Sequence, residues 1–192
     1  QFKKDKVDYD TDKKQFDYHD FIKPEKIFKI PDNVKLRDYQ IEAINGWEQQ
    51  GYKGIFSMST GSGKSFTALA CMAHLAEKVD EKLAVFIVCP YIHLVGQWEE
   101  DVVNWACNPI IAHSKSSDKK WDLNLVKAYK RFRNNGKPFV CITTNDTFAS
   151  EKIQNIIHRL NEEQNVLLII DEAHNFGSVR LSNMLPENIK YR

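Results

Sequence analysis

The feature that most constrains the fold is the stretch Ser59–Ser65, in which Gly61 and Gly63 separate an apolar run from a segment with helical spacing. The preceding run, Gly54–Met58, has the composition of a strand, and apolar residues recur at helical intervals from Phe66 to Val79. A glycine-rich turn between a strand and a helix N-terminus points backbone N–H groups inward, and it is typical of a phosphate-binding loop.

Lys64 and Ser65 complete this loop chemically. A lysine at this position reaches the terminal phosphates of a nucleotide, and the serine hydroxyl holds Mg²⁺. The general pattern has a further glycine five residues before Gly63, where this chain has Met58, so a chance match in a surface loop is the alternative when the loop is taken alone. The predicted phosphate-binding residues are Thr60, Gly61, Ser62, Gly63, Lys64 and Ser65.

A second motif, Asp171-Glu172-Ala173-His174, follows the apolar run Val166–Ile170. Hydrolysis of a nucleoside triphosphate needs a carboxylate that holds Mg²⁺ and a group that orients or deprotonates the attacking water. Asp171, at the end of a predicted strand, suits the first role together with Ser65, and Glu172 suits the second. Lys64, Asp171 and Glu172 are therefore the predicted catalytic residues.

Strand-like and helix-like segments alternate along the chain. Most apolar runs are continuous rather than alternating, as in strands that helices cover on both faces. The pattern predicts an α/β fold with a mostly parallel sheet and ligands beyond the carboxyl ends of its strands. The predicted strands are Gly54–Met58, Leu83–Cys89, Pro109–His113, Phe139–Thr143 and Val166–Ile170. The predicted helices are one capped by Asp32 or Asn33 that carries Leu36 to Trp47, and then Ser65–Val79, Ile92–Trp105, Lys119–Asn134 and Ser150–Asn161.

Charge and cysteine content narrow the class of protein. The formal net charge is +1, so no global basic field indicates a nucleic-acid partner. Locally, the segment from Lys115 to Lys137 carries a balance of 8 − 2 = +6, for which a solvated helix face is the alternative. The four cysteines lack metal-ligand spacing and are expected to be reduced thiols, most of them in the core. No apolar run reaches the ~18 residues of a membrane span and no signal pattern is present, which predicts a cytoplasmic protein without a membrane partner.

Met58–Ser65 and Asp171–His174 together resemble the first RecA-like lobe of a superfamily 2 helicase of the DEAH kind. Methionine at the first loop position is familiar in the branch that resembles the R (Res) subunits of restriction enzymes. The resemblance runs from about Phe28 to His174 and implies ATP and Mg²⁺ as cofactors. Residues 31–192 are expected to form this P-loop ATP-binding lobe, and residues 1–30 an N-terminal arm or linker.

The segment Leu36-Arg37-Asp38-Tyr39-Gln40 resembles the adenine-recognition motif of the same family. The resemblance implies that Arg37 and Gln40 contact the base. A carboxamide suits this role because it offers one donor group and one acceptor to the edge of adenine. Without the family, the same residues are the exposed start of an amphipathic helix.

Two further segments resemble the motifs with which this lobe contacts nucleic acid. Cys89–Trp98 resembles motif Ia, which implies contacts from Pro90, Tyr91, His93 and Gln97. Ile142–Phe148 resembles a later motif, which implies that Thr143 and Thr144 hold a phosphate; a strand end that turns into a capped helix is the alternative.

The resemblance implies an ATP-driven motor on nucleic acid, with DNA favoured over RNA. His174 would couple the nucleotide site to the nucleic-acid site and to a second RecA-like lobe, which supplies an arginine finger. No Ser-Ala-Thr motif follows His174, so this lobe is expected to stop before motif III and to hydrolyse ATP poorly by itself. Two alternatives stay open: an ATP-gated nucleic-acid-sensing or scaffold module without unwinding, and a P-loop ATPase unrelated to nucleic acid.

Overall fold

The computed structural model describes residues 26–59, 61–160, 165–173, 186 and 189–192. Helices and strands alternate over most of this part of the chain. The described helices are α1 (Asp38–Gln49), α2 (Lys64–Lys78), α3 (Ile92–Trp105), α4 (Trp121–Asn135), α5 (Asn145–Phe148) and α6 (Glu151–Ile157). The described strands are β1 (Ala84–Cys89), β2 (Ile110–Ala112), β3 (Phe139–Thr144) and β4 (Val166–Ile170).

The described strands form one parallel sheet in the order β2-β3-β1-β4. β1 lies inside the sheet, and its residue Val88 is in register with Thr143 of β3 and with Ile170 of β4. Because all strands run the same way, the residues that follow β1, β2, β3 and β4 meet at one carboxyl edge. The predicted α/β fold with a parallel sheet is confirmed.

Both faces of the sheet are buried. Alternate residues of β1 point to opposite faces, so Val85 and Ile87 join a core with α1, α2 and α3. Phe86 and Val88 join a second core with α4, α5 and α6. This double burial explains why the strand sequences are continuous apolar runs.

The prediction of a strand over Gly54–Met58 is wrong. No strand is assigned to this segment, and Ile55 is 83% exposed. A strand needs a ladder of hydrogen bonds, and within the described residues the only backbone bond of this segment joins the Gly54 N–H to the carbonyl of Arg192. Apolar composition alone therefore does not make it part of the sheet.

The predicted cap of the first helix is also wrong. Asp32 and Asn33 lie in a turn, and α1 begins later, at Asp38. The side chain of Gln40 reaches back and accepts a hydrogen bond of 2.9 Å from the Arg37 N–H. A side chain that satisfies a backbone N–H stabilises a helix start, so this bond favours the observed start of α1 at Asp38.

Residues 26–30, at the end of the predicted arm, pack onto the domain. Phe28 is fully buried. The carboxylate of Glu81 accepts hydrogen bonds of 3.0 Å from the backbone N–H groups of Ile27 and Phe28, and the Lys29 N–H donates to the carbonyl of Trp105. The rest of the predicted arm, residues 1–25, lies outside the described residues.

The Phe28→Ala variant is expected to lose about 3–5 kcal/mol of unfolding free energy, because the truncation leaves a cavity in the core. Urea unfolding followed by circular dichroism measures the loss. Leu123→Ala is the control, since Leu123 is 56% exposed on α4 and exposed substitutions usually change stability by less than about 0.5 kcal/mol. Equal unfolding midpoints for the two variants would show that the 26–30 segment does not contribute to the core.

Candidate functional site

The glycine loop turns directly into α2. Gly61 and Gly63 have φ angles of 77° and 82°, a region that side chains disfavour. Gly63 is the N-cap residue of α2, and a Cβ atom there would lie 3.1 Å from Nε2 of Gln40. The loop therefore needs glycine at position 63 for two reasons, backbone conformation and close approach. Thr60, also predicted to bind phosphate, lies outside the described residues.

The start of α2 carries backbone N–H donors. Within the described residues, the N–H groups of Lys64 and Ser65 donate to no protein acceptor. Nζ of Lys64 lies 3.4 Å from the carbonyl oxygen of Met58 and donates to it, which folds the side chain back over the loop. An anion bound here would meet unpaired N–H groups, a helix N-terminus and an ammonium group.

Gln40 braces this loop from α1. Its side chain is 5% exposed, and Nε2 donates to Oγ1 of Thr67 at 3.1 Å and to the Gly63 carbonyl at 3.3 Å. Oε1 accepts from the Arg37 N–H, so both amide hydrogens and one oxygen lone pair are used inside the protein. Arg37 is exposed, and its guanidinium donates to the hydroxyl of Tyr39 at 3.2 Å.

Tyr39 contacts the glycine loop, which the sequence motifs did not predict. Its hydroxyl donates to the carbonyl of Ser62 at 2.5 Å, so α1 holds the loop at Ser62 as well as at Gly63. The sequence signal was present in the adenine-recognition motif, where Tyr39 stands next to Gln40. A role for its hydroxyl could not be predicted without knowing how α1 packs against the loop.

Asp171 and Glu172 lie at the carboxyl end of β4. The Asp171 N–H donates to the carbonyl of Val88 at 2.9 Å, which continues the pairing of β4 with β1. Oδ1 of Asp171 accepts from the Glu172 N–H at 2.9 Å, and Oδ2 accepts from Nε1 of Trp98 at the same distance. Glu172 has a φ of 50°, so the chain turns sharply just after the strand.

The structure places the loop and Asp171 on elements of one core but shows no hydrogen bond between them among the described residues. α2 and Trp98 both belong to the core that covers the α1 side of the sheet. Burial raises the pKa of the Cys89 thiol to about 12, with a smaller contribution from the negative charge of Asp171. His174, predicted to couple the sites, lies outside the described residues.

A cavity of about 1040 Å³ opens at the carboxyl edge of β1, β2 and β3. Three of its lining residues, Pro90, Tyr91 and His93, surround the N-terminus of α3, and Thr144 ends β3. The sequence motifs predict all four of these residues as nucleic-acid contacts. The remaining lining residues are Ile92, Ser114, Lys115, Trp121, Asp146, Thr147, Ser150 and Lys152.

Two of the predicted nucleic-acid residues do not line this cavity. Thr143 is fully buried, and its hydroxyl donates to the Ala112 carbonyl at 2.7 Å. Gln97 is exposed on α3, outside the cavity. Thr144 is 7% exposed, and its Oγ1 accepts from the Thr147 N–H at 3.4 Å. The capped-helix alternative therefore describes Thr144 in this structure, because its hydroxyl caps α5.

The cavity combines positive charge with aromatic surface. Lys115 is exposed at its rim, whereas Lys152 is paired with Asp122 at 2.6 Å. The ring of Tyr91 is 55% exposed and stacks on that of His93 with an interplanar angle of 8°. Burial lowers the pKa of His113, the residue that directly follows β2. The sequence prediction missed Lys115, Trp121 and Lys152 as lining residues because they belong to α4, α6 and a loop without motifs.

The outer face of α4 carries much of the local basic charge. Lys127, Lys130, Arg131 and Arg133 are exposed, and Leu125, Tyr129 and Phe132 face the core. None of these basic residues lines the cavity. The exposure of these residues fits a solvated helix face, and it also leaves them accessible to a ligand.

Other classes of site find no support in the described residues. No group of His, Cys, Asp and Glu side chains there could hold a metal by itself. The four cysteines are free, and burial raises the pKa of Cys71 to about 12. No helix in the described part of the chain is both long and apolar enough to cross a membrane.

A comparison with models of known protein families identifies the family of this chain. The model of the family described as the type III restriction enzyme, res subunit, matches residues 33–191. The chain belongs to this family. The expected resemblance to the Res branch is thereby confirmed, and the match begins before α1 and includes both the loop and β4.

Individual relatives of this Res-family chain include a DNA translocase and a chromatin-remodeling ATPase. It is 38% identical over 73 residues to the DNA 3'-5' translocase XPB2 of Sulfurisphaera tokodaii, a match that covers 38% of the chain and 15% of the relative. It is 27% identical over 130 residues to the chromatin-remodeling ATPase INO80 of Gibberella zeae, covering 62% of the chain and 6% of the relative. The chain thus spans a small part of the curated relatives it matches.

A solved structure shares the fold. The type ISP restriction-modification enzyme LlaGI, determined as a nuclease-deletion mutant in complex with a DNA substrate mimic, aligns with a TM-score of 0.58 and 21% identity. The alignment covers 82% of this chain and 17% of that one. At this identity the likeness establishes the fold of the Res-family lobe.

Proposed function

We propose that this chain is the ATP-binding lobe of an ATP-driven helicase or translocase that acts on nucleic acid, with DNA favoured over RNA. One observation carries the proposal: Asp171 and the cavity lie at the same carboxyl edge of one parallel sheet. β1, whose carboxyl end leads into the cavity, is paired directly with β4, which carries Asp171. Two sites on adjacent strands suit a protein that links one bound ligand to another.

The residues of the loop fit a nucleoside triphosphate. The N–H groups of Lys64 and Ser65, which have no acceptor among the described residues, would bind the phosphates together with the Lys64 ammonium. Ser65 and Asp171 would hold Mg²⁺, which when bound neutralises developing charge on the phosphates. Glu172 would orient or deprotonate the attacking water. Thr60 and Ser62 are proposed to contribute to the same phosphate-binding loop.

The role of Gln40 in this proposal differs from a simple base contact. Its two amide hydrogens are committed to Thr67 and Gly63, so it braces the loop and keeps one oxygen lone pair for adenine. Arg37, which is exposed beside it, is the better placed group to stack on the base. A bound base would therefore be linked to the loop through Gln40.

The cavity is the proposed nucleic-acid site. Lys115 would neutralise a phosphate, while the N–H groups at the start of α3, around Pro90, Tyr91 and His93, would bind the backbone without reading sequence. Thr144 lines the same cavity. The names of the relatives support DNA as the polymer, since XPB2 is a DNA translocase and LlaGI was solved with a DNA substrate mimic.

Three further points, on a second lobe, on His174 and on the compartment, belong to the same proposal. A second RecA-like lobe would supply the arginine finger, and His174 would couple the sites. The four free cysteines support the cytoplasm as the compartment, because thiols persist in reducing surroundings.

Stimulation of ATP hydrolysis by nucleic acid tests the proposal. In the full-length protein, DNA is expected to raise the ATPase rate, measured with no polymer, single-stranded DNA, duplex DNA and RNA. Lys115→Ala should raise the DNA concentration for half-maximal stimulation and lower the slope of log affinity against log salt by about 1. Lys130→Ala is the matched control, because Lys130 is an exposed lysine outside the cavity.

Each outcome separates one alternative. Equal shifts for the two lysine variants would show that exposed basic charge in general, and not the cavity, governs DNA binding. Binding of DNA without stimulation would favour the sensing or scaffold module. A rate that no polymer changes, with no DNA binding, would overturn the proposal in favour of an ATPase unrelated to nucleic acid.

A further inference from the structure

Trp98 is a buried residue whose one polar atom is directed at the end of β4. It lies in the second turn of α3 and is 4% exposed. Its indole N–H donates a hydrogen bond of 2.9 Å to Oδ2 of Asp171. A buried indole N–H needs a partner, and here the partner is a carboxylate from another element of the fold.

The bond from Trp98 completes a set that holds Asp171 in one orientation. The backbone of Asp171 is fixed to β1 by its N–H bond to Val88, and Oδ1 accepts from the Glu172 N–H. With Oδ2 held by Trp98, each carboxylate oxygen accepts a hydrogen bond from one donor among the described residues. The torsion that turns the carboxylate is therefore determined by neighbours on both sides.

We propose that Trp98 is a positioning residue for Asp171, which it orients to bind Mg²⁺ or its water shell. The inference rests on the proposed ATP-binding function. An indole N–H is a donor only, so Trp98 cannot be a ligand and acts solely through the carboxylate. Donors that orient a metal-binding carboxylate change metal affinity or activity by about 10–100-fold when they are removed.

The position of Trp98 in α3 gives this role a second consequence. The N-terminus of α3, from Tyr91 to His93, lines the cavity at the carboxyl edge of the sheet. One helix therefore lines the cavity at its start and contacts the Asp171 carboxylate one to two turns later. Trp98 is the side chain that joins that helix to the nucleotide side of the fold.

The test measures how nucleotide binding depends on Mg²⁺. A fluorescent, non-hydrolysable ATP analogue is titrated at increasing Mg²⁺ and followed by anisotropy of its label. Trp98→Phe is expected to raise the Mg²⁺ concentration for half-maximal binding by about 10–100-fold, with binding in EDTA unchanged. Trp47→Phe is the matched control, because Trp47 is also buried and its indole N–H donates to the Arg192 carbonyl at 3.1 Å, away from Asp171.

A double-mutant cycle separates positioning from packing. If Trp98 acts through the carboxylate, Trp98→Phe adds no further Mg²⁺ effect in an Asp171→Asn background. Equal Mg²⁺ dependence for Trp98→Phe and Trp47→Phe would overturn the role of Trp98 and leave the proposed function intact. Failure of the wild-type chain to bind the analogue at any Mg²⁺ concentration would instead overturn the proposed function.

A spectroscopic measurement keeps the inference testable if Trp98→Phe does not fold. The wild-type chain is labelled with 5-fluorotryptophan, and its four tryptophan resonances are assigned with Trp47→Phe, Trp105→Phe and Trp121→Phe. The Trp98 resonance should shift when Mg²⁺ is added with the analogue and not when the analogue is added with EDTA. An unchanged Trp98 resonance in the presence of bound Mg²⁺ and analogue would overturn the inference.

Discussion

Lys64→Ala is expected to abolish measurable nucleotide binding by this chain. The substitution removes an ammonium group that reaches back over the loop and contacts the Met58 carbonyl. Hydrogen bonds to a charged group contribute about 1.5–3 kcal/mol each, and Lys64 would make more than one to the terminal phosphates. Titration of a fluorescent ATP analogue into the wild type and the variant measures the loss.

Lys53→Ala is the control for this substitution. Lys53 is an exposed lysine before the loop and shares the charge change without the contact. Equal affinities of the wild type and Lys64→Ala for the analogue would contradict the assignment of Ser59–Ser65 as the phosphate-binding loop. A loss of affinity in both variants would show that overall charge, not the loop, governs binding.

Glu172→Gln is expected to leave nucleotide binding intact and to lower turnover of the full-length protein by about 10²–10⁴-fold, the usual contribution of a positioned base. The amide keeps the size of the side chain, and the backbone bond from the Glu172 N–H to Asp171 is unchanged. The Mg²⁺-binding carboxylate should therefore stay oriented. Single-turnover hydrolysis and analogue binding, measured on the same preparation, separate the two effects.

Glu42→Gln provides the matched control, because Glu42 is exposed on α1 and makes the same change in charge. A full-length Glu172→Gln protein that hydrolyses ATP at the wild-type rate would exclude Glu172 as the base. Loss of binding together with turnover would show that Glu172 instead supports the fold of the turn after β4, where its φ is 50°.

Most of the fold could be predicted from local patterns. The continuous apolar runs that became β1, β3 and β4 identified the sheet because a strand buried on both faces has no polar side. Gly54–Met58 has a similar composition but lacks a neighbouring strand among the described residues, and its Ile55 is exposed. Hydrogen-bond partners come from elsewhere in the chain, so composition could not distinguish these cases.

The candidate site also contains some residues that motifs predicted and others that no motif identified. Pro90, Tyr91, His93 and Thr144 were predicted from motifs and line one cavity. Thr143, its neighbour in sequence, points the other way and is fully buried, because successive side chains of a strand face opposite sides. Lys115, Trp121 and Lys152 complete the cavity without any sequence motif.

The sequence by itself determined the elements that are local in the chain: the glycine loop with φ angles that side chains disfavour, the helix that follows it, and the carboxylates after an apolar strand. These features depend on backbone conformation and on short-range spacing. Only the tertiary structure decided that Gln40 and Tyr39 hold the loop, and that Trp98 binds Asp171, 73 residues away in sequence. Such contacts depend on how the helices pack against the sheet. The order of residues along the chain does not show which distant residues lie side by side.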